Sequence, residues 1–255
     1  MGDSLKSYAS APKRVDQLEQ VRMLTEALEG ATIESALPYT PQIVKILRGA
    51  IIGLKLMPST PISEAAIAKV LGLSRTPVRE ALKDLSDQNL VDIFPQAGTM
   101  VAPIRLSLIA HENFVRHALE SANLMDLAGT LTQEGKDRIR KELGHQEDAI
   151  EHGRIEVFFD HDEAMHKLFF ELTGRLPVWE TVQHSKQHLD RARHLLMKDE
   201  IGVCRRAFAQ HLKIVDALFK EDREGLAGAV ANHLSGIREY LLDRIDSDYA
   251  DLVVE

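Results

Sequence analysis

The chain has 255 residues, of which 44% are hydrophobic and 27% are charged, and its formal net charge is −8. This composition is typical of a globular protein in water, and no apolar run approaches the roughly 20 residues that a membrane-spanning helix needs. The N-terminus lacks the apolar stretch of a secretory signal, and the single cysteine, Cys204, excludes an internal disulfide. We therefore expect a cytoplasmic protein with no membrane partner.

Residues 1–40 are predicted to form an N-terminal extension. The first 13 residues show no periodic pattern, and we expect no regular structure there. From Arg14 to Glu29 apolar side chains recur at steps of three and four residues, which predicts one helix that ends before Gly30. The sequence leaves open whether this helix packs on a partner subunit or covers the core of its own chain.

Residues 41–104 are predicted to form a compact unit of three helices and a β-hairpin. The helical segments are PQIVKILRGAIIG, SEAAIAKVLG and SRTPVREALKDLSDQ. Ser63 and Ser74 stand at the N-cap positions of the second and third helices, and Gly72 ends the second. LVDIF and TMVAPI are expected to be short strands around the turn PQAG. This order of elements is that of a winged helix-turn-helix.

The third of these helices begins with two arginines one turn apart, Arg75 and Arg79. They lie in a segment with seven basic and five acidic side chains, although the whole chain is acidic. In a helix-turn-helix this helix end enters the major groove, where arginine can bond to O6 and N7 of guanine. Ser74 and Thr76 suit phosphate contacts at the helix N-terminus. The alternative is that both arginines lie on a merely solvated helix face.

Residues 105–245 are predicted to form an all-helical bundle, followed by a C-terminal tail at 246–255. The six expected helices span about 107–128, 132–152, 154–173, 177–198, 203–220 and 223–245. Glycines and a proline separate them, and no strand is expected. The predicted fold class is therefore mostly α, with an N-terminal winged helix-turn-helix followed by a helical bundle.

Three of the bundle helices place metal-ligating side chains on their apolar faces. These residues are Asp162 and His166, then His211, then His233. An unpaired carboxylate among apolar side chains is costly, whereas three imidazoles and one carboxylate around a divalent cation would satisfy one another. A single histidine on an apolar face is more often a hydrogen-bonded core residue, so the metal hypothesis depends on the four together.

The segment ISEAAIAKVLGLSRTPVREALKDLSDQNLV resembles the signature of GntR-family transcription regulators, and the match covers about residues 41–103. The resemblance implies a dimer that binds a short palindromic operator in double-stranded DNA. It also implies base-reading arginines at the helix tip, phosphate contacts beside them and a glycine at the tip of the wing. The implied DNA-binding residues are Ser74, Arg75, Thr76, Arg79, Gln96 and Gly98.

Two positions depart from that family pattern. Ala65 stands where the family often has a basic residue in the first motif helix. Ala97 stands where the wing often has histidine or arginine before its glycine. The operator sequence is therefore left open.

The later segments around Asp162–His166, His211 and His233 resemble the FCD effector domain of the FadR-like GntR branch, across about residues 107–243. That domain is an all-helical bundle. The resemblance implies that these four residues hold zinc, nickel or a similar divalent ion, beside a pocket for a small carboxylate.

Several further residues are candidates for binding such an effector. Arg116 and Glu120 fit the pattern R-x-x-L-E that FCD members often show, and Arg116 could pair with a carboxylate. The alternative for Arg116 is a surface salt bridge to Glu112 or Glu120. His184, His188 and Arg193 are second-choice pocket residues.

These features predict a ligand-responsive transcription regulator, acting as a homodimer and by default as a repressor, and not an enzyme. One alternative is a regulator that senses the metal itself, without an organic effector. The other is a metal-dependent hydrolase that would use Asp160 or Glu163 as a base, but it leaves the recognition helix unexplained.

Overall fold

The computed structural model describes residues 16–197, 201–242 and 252–254, without the side chains of residues 196, 197 and 236–242. The described residues form two compact units. The first contains the chain up to Leu106 together with residues 252–254, and the second begins at Ser107. The expectations for residues 1–15, including a helix start at Arg14, and for residues 243–251 concern parts of the chain outside the described residues.

The first unit contains four helices and five short strands among its described residues. The helices are α1 (Gln17–Ala27), α2 (Tyr39–Ile52), α3 (Glu64–Leu71) and α4 (Arg75–Asp87). The strands are β1 (Pro61–Ile62), β2 (Val91–Phe94), β3 (Gly98–Val101), β4 (Ile104–Arg105) and β5 (Val253–Val254). The order α2, α3, α4, β2, β3 confirms the predicted winged helix-turn-helix fold.

The bounds of α3 and α4 follow from their capping residues and apolar faces. The Ser63 hydroxyl accepts a hydrogen bond from the Ala66 backbone N–H and so starts α3. Gly72 ends α3 with φ of 67°, a left-handed conformation that glycine adopts without strain. The buried face of α4 consists of Val78, Ala81, Leu82 and Leu85. The opposite face of α4 is therefore left to solvent.

The N-terminal helix α1 belongs to the core of the first unit. Leu24 is fully buried, and it lies in the same apolar cluster as Leu47 of α2 and Leu82 of α4. Leu18, at the start of α1, is 71% exposed. Of the two roles that the sequence left open, α1 thus covers the core of its own chain.

The wing is a three-stranded antiparallel sheet in the order β1–β3–β2. The sequence predicts the β2–β3 hairpin but not β1, because a two-residue strand is too short to show alternation. The predicted strand TMVAPI ends early, and its last residue, Ile104, belongs to the separate strand β4. β4 pairs in parallel with β5, and the Ile104 N–H donates to the Leu252 carbonyl at 2.9 Å. Part of the expected C-terminal tail is thus paired with the end of the first unit.

The second unit is all helical in its described part. Its helices are α5 (Leu106–Leu127), α6 (Gln133–Glu151), α7 (Ile155–Leu172), α8 (Leu176–His184), α9 (Gln187–Met197), α10 (Ile201–Phe219) and α11 (Arg223–Leu242). A shared apolar cluster includes Leu124, Phe169, Leu218 and Val230, from four different helices. None of the described helices is long and apolar enough to span a membrane.

The prediction of one helix over 177–198 is wrong, because this segment forms two separate helices, α8 and α9. The backbone N–H groups of His188 and Leu189 at the start of α9 donate to the two carboxylate oxygens of Glu112, at 3.1 and 2.7 Å. Glu112 lies on α5, so α9 is capped by a residue 76 positions earlier in the chain. A cap supplied from so far away leaves no local signal in the sequence.

Candidate functional site

The N-terminal end of α4 presents an exposed, basic surface. Ser74, Arg75, Thr76 and Arg79 are all exposed, in line with their predicted positions. The Ser74 side chain makes no capping hydrogen bond. The first-turn N–H groups of α4 and this hydroxyl can therefore donate to an anion such as a phosphate.

Arg79 is held by a carboxylate from the neighbouring helix. Its Nε and NH2 atoms donate to Oε1 and Oε2 of Glu64, both at 2.9 Å. The hydrogen bond from Arg79 is the main reason that the pKa of Glu64 is lowered, so the carboxylate stays ionised at neutral pH. Glu64 is not among the site residues predicted from the sequence.

The tip of the wing combines two exposed residues with left-handed backbone conformations. Gln96 has φ of 64° and Gly98 has φ of 122°. The Ala97 N–H donates to the Phe94 carbonyl at 3.1 Å, which closes a tight turn with Gln96 at a position that usually favours glycine. The turn therefore fixes the direction in which Gln96 projects from the hairpin.

The second unit brings the four predicted ligands together. One candidate ligand atom from each of Asp162, His166, His211 and His233 lies within 4.8 Å of the others, and all four residues are buried. Asp162 and His166 come from α7, His211 from α10 and His233 from α11. Helical periodicity and the resemblance to the FCD domain together predicted this convergence of three helices.

Within this cluster the imidazole Nε2 atoms face one another. His233 Nε2 lies 3.3 Å from His166 Nε2 and 3.3 Å from His211 Nε2. His211 Nε2 lies 3.2 Å from the Oδ1 atom of Asp162.

The Nδ1 atom of each ring faces a side-chain oxygen. The partners are Glu120 for His166 at 2.7 Å, Gln146 for His211 at 2.8 Å and Gln210 for His233 at 3.1 Å. Because the oxygens of Gln146 and Gln210 accept, Nδ1 carries the proton in the neutral rings of His211 and His233, and Nε2 keeps a lone pair. The Arg116 donor beside His166 Nε2 indicates the same tautomer for His166. Gln146 and Gln210 were missed by sequence reasoning; only the position of Gln210 next to His211 hints at a role.

The buried environment sets the protonation states that a cation requires. Burial lowers the pKa of His211, and it lowers that of His233 further, helped by the neighbouring His211 and His166. Burial alone would raise the pKa of Asp162, but the Arg193 guanidinium that pairs with its carboxylate holds it well below its usual range. The pKa of Glu120 falls to about 2, because Arg116 and His166 outweigh the effect of burial.

Two buried arginines contact the cluster. Arg193, on α9, donates to the Asp162 carboxylate and also to Glu163 at 3.1 Å. Arg116, on α5, pairs with Glu120, and its NH2 atom lies 3.1 Å from His166 Nε2. The ion pair between Arg116 and Glu120 exists, but it is buried rather than on the surface.

The donor set fits a divalent ion. Three lone-pair nitrogens and a carboxylate oxygen point into one space, and the contacts among Nε2 atoms contain no donor hydrogen when Nδ1 is protonated. A cation at this point would turn these acceptor–acceptor contacts into favourable ones. Histidine and aspartate donors suit zinc, nickel and related ions.

The two histidines predicted as second-choice pocket residues, His184 and His188, differ from each other in burial. His184 is exposed near the end of α8, where its Nδ1 atom contacts the Glu180 carbonyl at 2.6 Å, so its role as a pocket residue stays a prediction. The turn between α8 and α9 interrupts the helix, so the four-residue spacing no longer places His184 on the same helix face as His188. His188 itself is buried, on the same helix as Arg193.

The candidate bases of the hydrolase alternative are badly placed. Asp160 is exposed on α7. Glu163 accepts hydrogen bonds from Lys186 at 2.8 Å and from Arg193 at 3.1 Å. A carboxylate held by two cations is a weak base, so neither residue favours hydrolysis.

Comparison with known proteins gives consistent matches for both units. Residues 40–101 match the model described as bacterial regulatory proteins, gntR family, and residues 114–236 match the FCD domain. The HTH-type transcriptional repressor RspR of Escherichia coli strain K12 is 32% identical over 212 residues, which cover 82% of this chain and 92% of RspR. A regulator from the unstable DNA locus of Streptomyces ambofaciens is 35% identical over 196 residues, or 75% of this chain and 80% of that protein.

Two solved structures share the fold. Escherichia coli McbR/YncC has a TM-score of 0.66 at 20% identity, covering 80% of this chain and 97% of that one. A putative GntR regulator from Rhodococcus sp. RHA1 has a TM-score of 0.66 at 21% identity, covering 80% of this chain and 98% of that one. At these identities the likeness concerns the fold.

Proposed function

Because this chain belongs to the GntR family of bacterial transcription regulators, in the FadR-like branch with an FCD domain, we propose that it binds a palindromic operator as a homodimer and senses a small organic acid. The acid would bind at a metal site in the second unit and change the affinity for DNA. Repression is the default direction, and the name of the relative RspR supports it.

The exposed end of α4 supports the assignment of the DNA-reading surface. Arg75 and Arg79 would contact guanine edges in the major groove, and Ser74 and Thr76 would contact phosphates. Gln96 and Gly98 would bring the wing to the backbone or the minor groove. The charge distribution favours DNA binding by residues 40–104, because this segment carries an excess of basic side chains in an otherwise acidic chain.

The convergence of Asp162, His166, His211 and His233 carries the proposal for the second unit. These four residues would hold one divalent ion, and Glu120, Gln146 and Gln210 would orient the imidazoles. A bound ion supplies a Lewis acid for an oxygen of the effector. With three neutral imidazoles and one carboxylate, the site would keep a net charge of about +1, which favours an anionic ligand.

Arg116 links the ion site to the recognition of a carboxylate. Its NH2 atom contacts the same Nε2 atom of His166 that an ion would use. When that lone pair is taken, the guanidinium keeps Glu120 and has a donor to spare for the effector. Arg193, Glu120 and His188 would complete the pocket.

A regulator that senses the metal alone is the second candidate. The observation in its favour is that Arg116 and Arg193 already pair with carboxylates of the protein. An organic acid would have to compete with those carboxylates. The two candidates differ in whether acids change DNA affinity once zinc is bound.

The test uses full-length protein loaded with zinc and the duplex that it selects from a random-sequence library. We expect selection of a palindrome and a fivefold or larger change in DNA affinity with at least one small carboxylate, since allosteric coupling is typically about 1–3 kcal/mol. A chelator-treated sample should lose that response. If zinc changes the DNA affinity and no acid does, the metal sensor is favoured; if no sequence is selected, the proposal fails.

A further inference from the structure

Glu64 and Arg79 form a two-point contact between the helices of the helix-turn-helix. Glu64 is the first residue of α3, and Arg79 lies one turn into α4. Arg79 donates through Nε and NH2 to the two carboxylate oxygens, so two neighbouring donors of the guanidinium meet two acceptors of one carboxylate. Such a two-point contact fixes the orientation of the guanidinium as well as its position.

The contact leaves the outer edge of the guanidinium open. Arginine has five N–H donors in one plane, and Glu64 takes those on the inner edge, formed by Nε and NH2. The outer edge, formed by NH1 and NH2, carries two further parallel donors. Because the Arg79 side chain is 70% exposed, that edge is accessible. Two parallel donors match O6 and N7 of guanine.

We propose that Glu64 is a specificity-determining residue that holds the Arg79 guanidinium in the orientation that reads a guanine. The inference rests on the proposed function, in which α4 enters the major groove. It adds a residue of α3 that need not touch DNA itself, and it assigns that residue to one base pair in each half of the operator.

Stability is only a small part of what this pair can contribute. An ion pair with an arginine this exposed adds little to folding, because solvent screens it and long side chains lose freedom. Ordering the arginine before binding lowers the entropy cost of placing it on a base. An acidic residue near phosphates should at the same time weaken sequence-independent binding. Glu64 is thus expected to lower the affinity for DNA of any sequence and to increase the discrimination between bases.

Glu80 provides a matched control on the same helix. It is exposed, lies next to Arg79 in sequence, and accepts a hydrogen bond from the Thr40 hydroxyl at 3.0 Å. The substitutions Glu64→Gln and Glu80→Gln change the net charge equally. Only the first removes the carboxylate that holds Arg79.

The experiment is library selection followed by affinity measurements, with full-length wild type, Arg79→Ala, Glu64→Gln and Glu80→Gln. The position at which Arg79→Ala loses its preference for guanine defines the base pair that Arg79 reads. At that position, Glu64→Gln should discriminate guanine from adenine about tenfold less than wild type, within the range that a bidentate contact supplies. It should bind an unrelated duplex at least as tightly as wild type does. Glu80→Gln should keep the wild-type discrimination.

Two results would overturn the inference while leaving the proposed function intact. The first is wild-type discrimination by Glu64→Gln at the Arg79 position; if binding is also tighter, Glu64 only competes with DNA for Arg79. The second is an equal change at every position, which means that Glu64 acts by charge alone. A wild type that selects no sequence would contradict the proposed function itself.

Discussion

His166 and His233 turn their Nε2 atoms toward each other across 3.3 Å inside the second unit, while their Nδ1 atoms face Glu120 and Gln210 on the outside of the cluster. Neither Nε2 atom has a proton to offer when Nδ1 carries it. Arg116 donates to His166 Nε2 from one side, and a cation bound between the rings would make the contacts among the Nε2 atoms favourable.

Replacing His211 with Ala should greatly weaken metal binding. It removes one of four ligands, so the loss should exceed the roughly 10–100-fold that losing an outer partner costs. Competitive zinc titration of the freshly purified protein measures it. His152→Ala is the control, since His152 is 61% exposed. Equal zinc affinity in wild type and His211→Ala would remove His211 from the ligand set.

Replacing Gln146 with Leu should weaken metal binding without removing a ligand. Gln146 accepts from His211 Nδ1, and its own Nε2 donates to the His161 carbonyl at 3.1 Å, which fixes the direction of the amide. Leucine has a similar size but cannot accept. We expect zinc affinity to fall about 10–100-fold in the same titration. Unchanged affinity would show that the ring needs no partner to stay in place.

Glu112 should make the stability of the second unit depend on pH. Burial raises the pKa of Glu112 to about 7, and the charge of Asp190 also raises this pKa. The backbone N–H groups of Leu189 and His188 and the charge of Lys186 act in the opposite direction. The usual value is 4.5, so between these values the folded state binds a proton that the unfolded state does not. Stability from this group is full below about pH 4.5 and declines as the pH rises to 7.

The variant Glu112→Gln cannot titrate and should lack that decline. The difference in free energy of unfolding, wild type minus variant, should fall by up to roughly 3 kcal/mol from pH 4.5 to 7.5. Chemical denaturation at a series of pH values measures it. A difference that stays constant, or that rises with pH, would contradict the buried position of this carboxyl.

The buried Val253 side chain should stabilise the pairing between β4 and β5. Val253 is only 4% exposed, whereas Val254 is partly exposed. Val253→Ala removes two buried methyl-sized groups, a loss of about 1–2 kcal/mol. Amide hydrogen exchange at Ile104, whose N–H donates to Leu252, should therefore speed up. Val254→Ala should change it less, and equal effects would argue against the register of this pair.

Local patterns in the sequence predict the features that depend on neighbouring residues. Ser63 and Gly72 mark the ends of α3 because caps act within one turn. Asp162, His166, His211 and His233 were found because each interrupts an apolar stripe of its own helix.

Interactions between distant parts of the chain explain what the sequence could not predict. Glu112 starts α9 from 76 residues away, and Gln146 orients His211 from 65 residues away. Glu64 holds Arg79 across 15 residues, and β5, near the C-terminal end, pairs with β4 in the middle of the chain. No periodic pattern or motif in the sequence indicates these contacts, because only the folded chain brings the partners together.

Native mass spectrometry of the full-length protein, mixed with zinc and its selected duplex, tests most directly whether one chain combines a DNA-reading helix with an ion site. We predict a complex of two chains, one duplex and two divalent ions. The double variant His211→Ala/His233→Ala should give the same complex without the ions. A single chain on the duplex, or a wild-type complex that takes up no zinc, would contradict this division of roles.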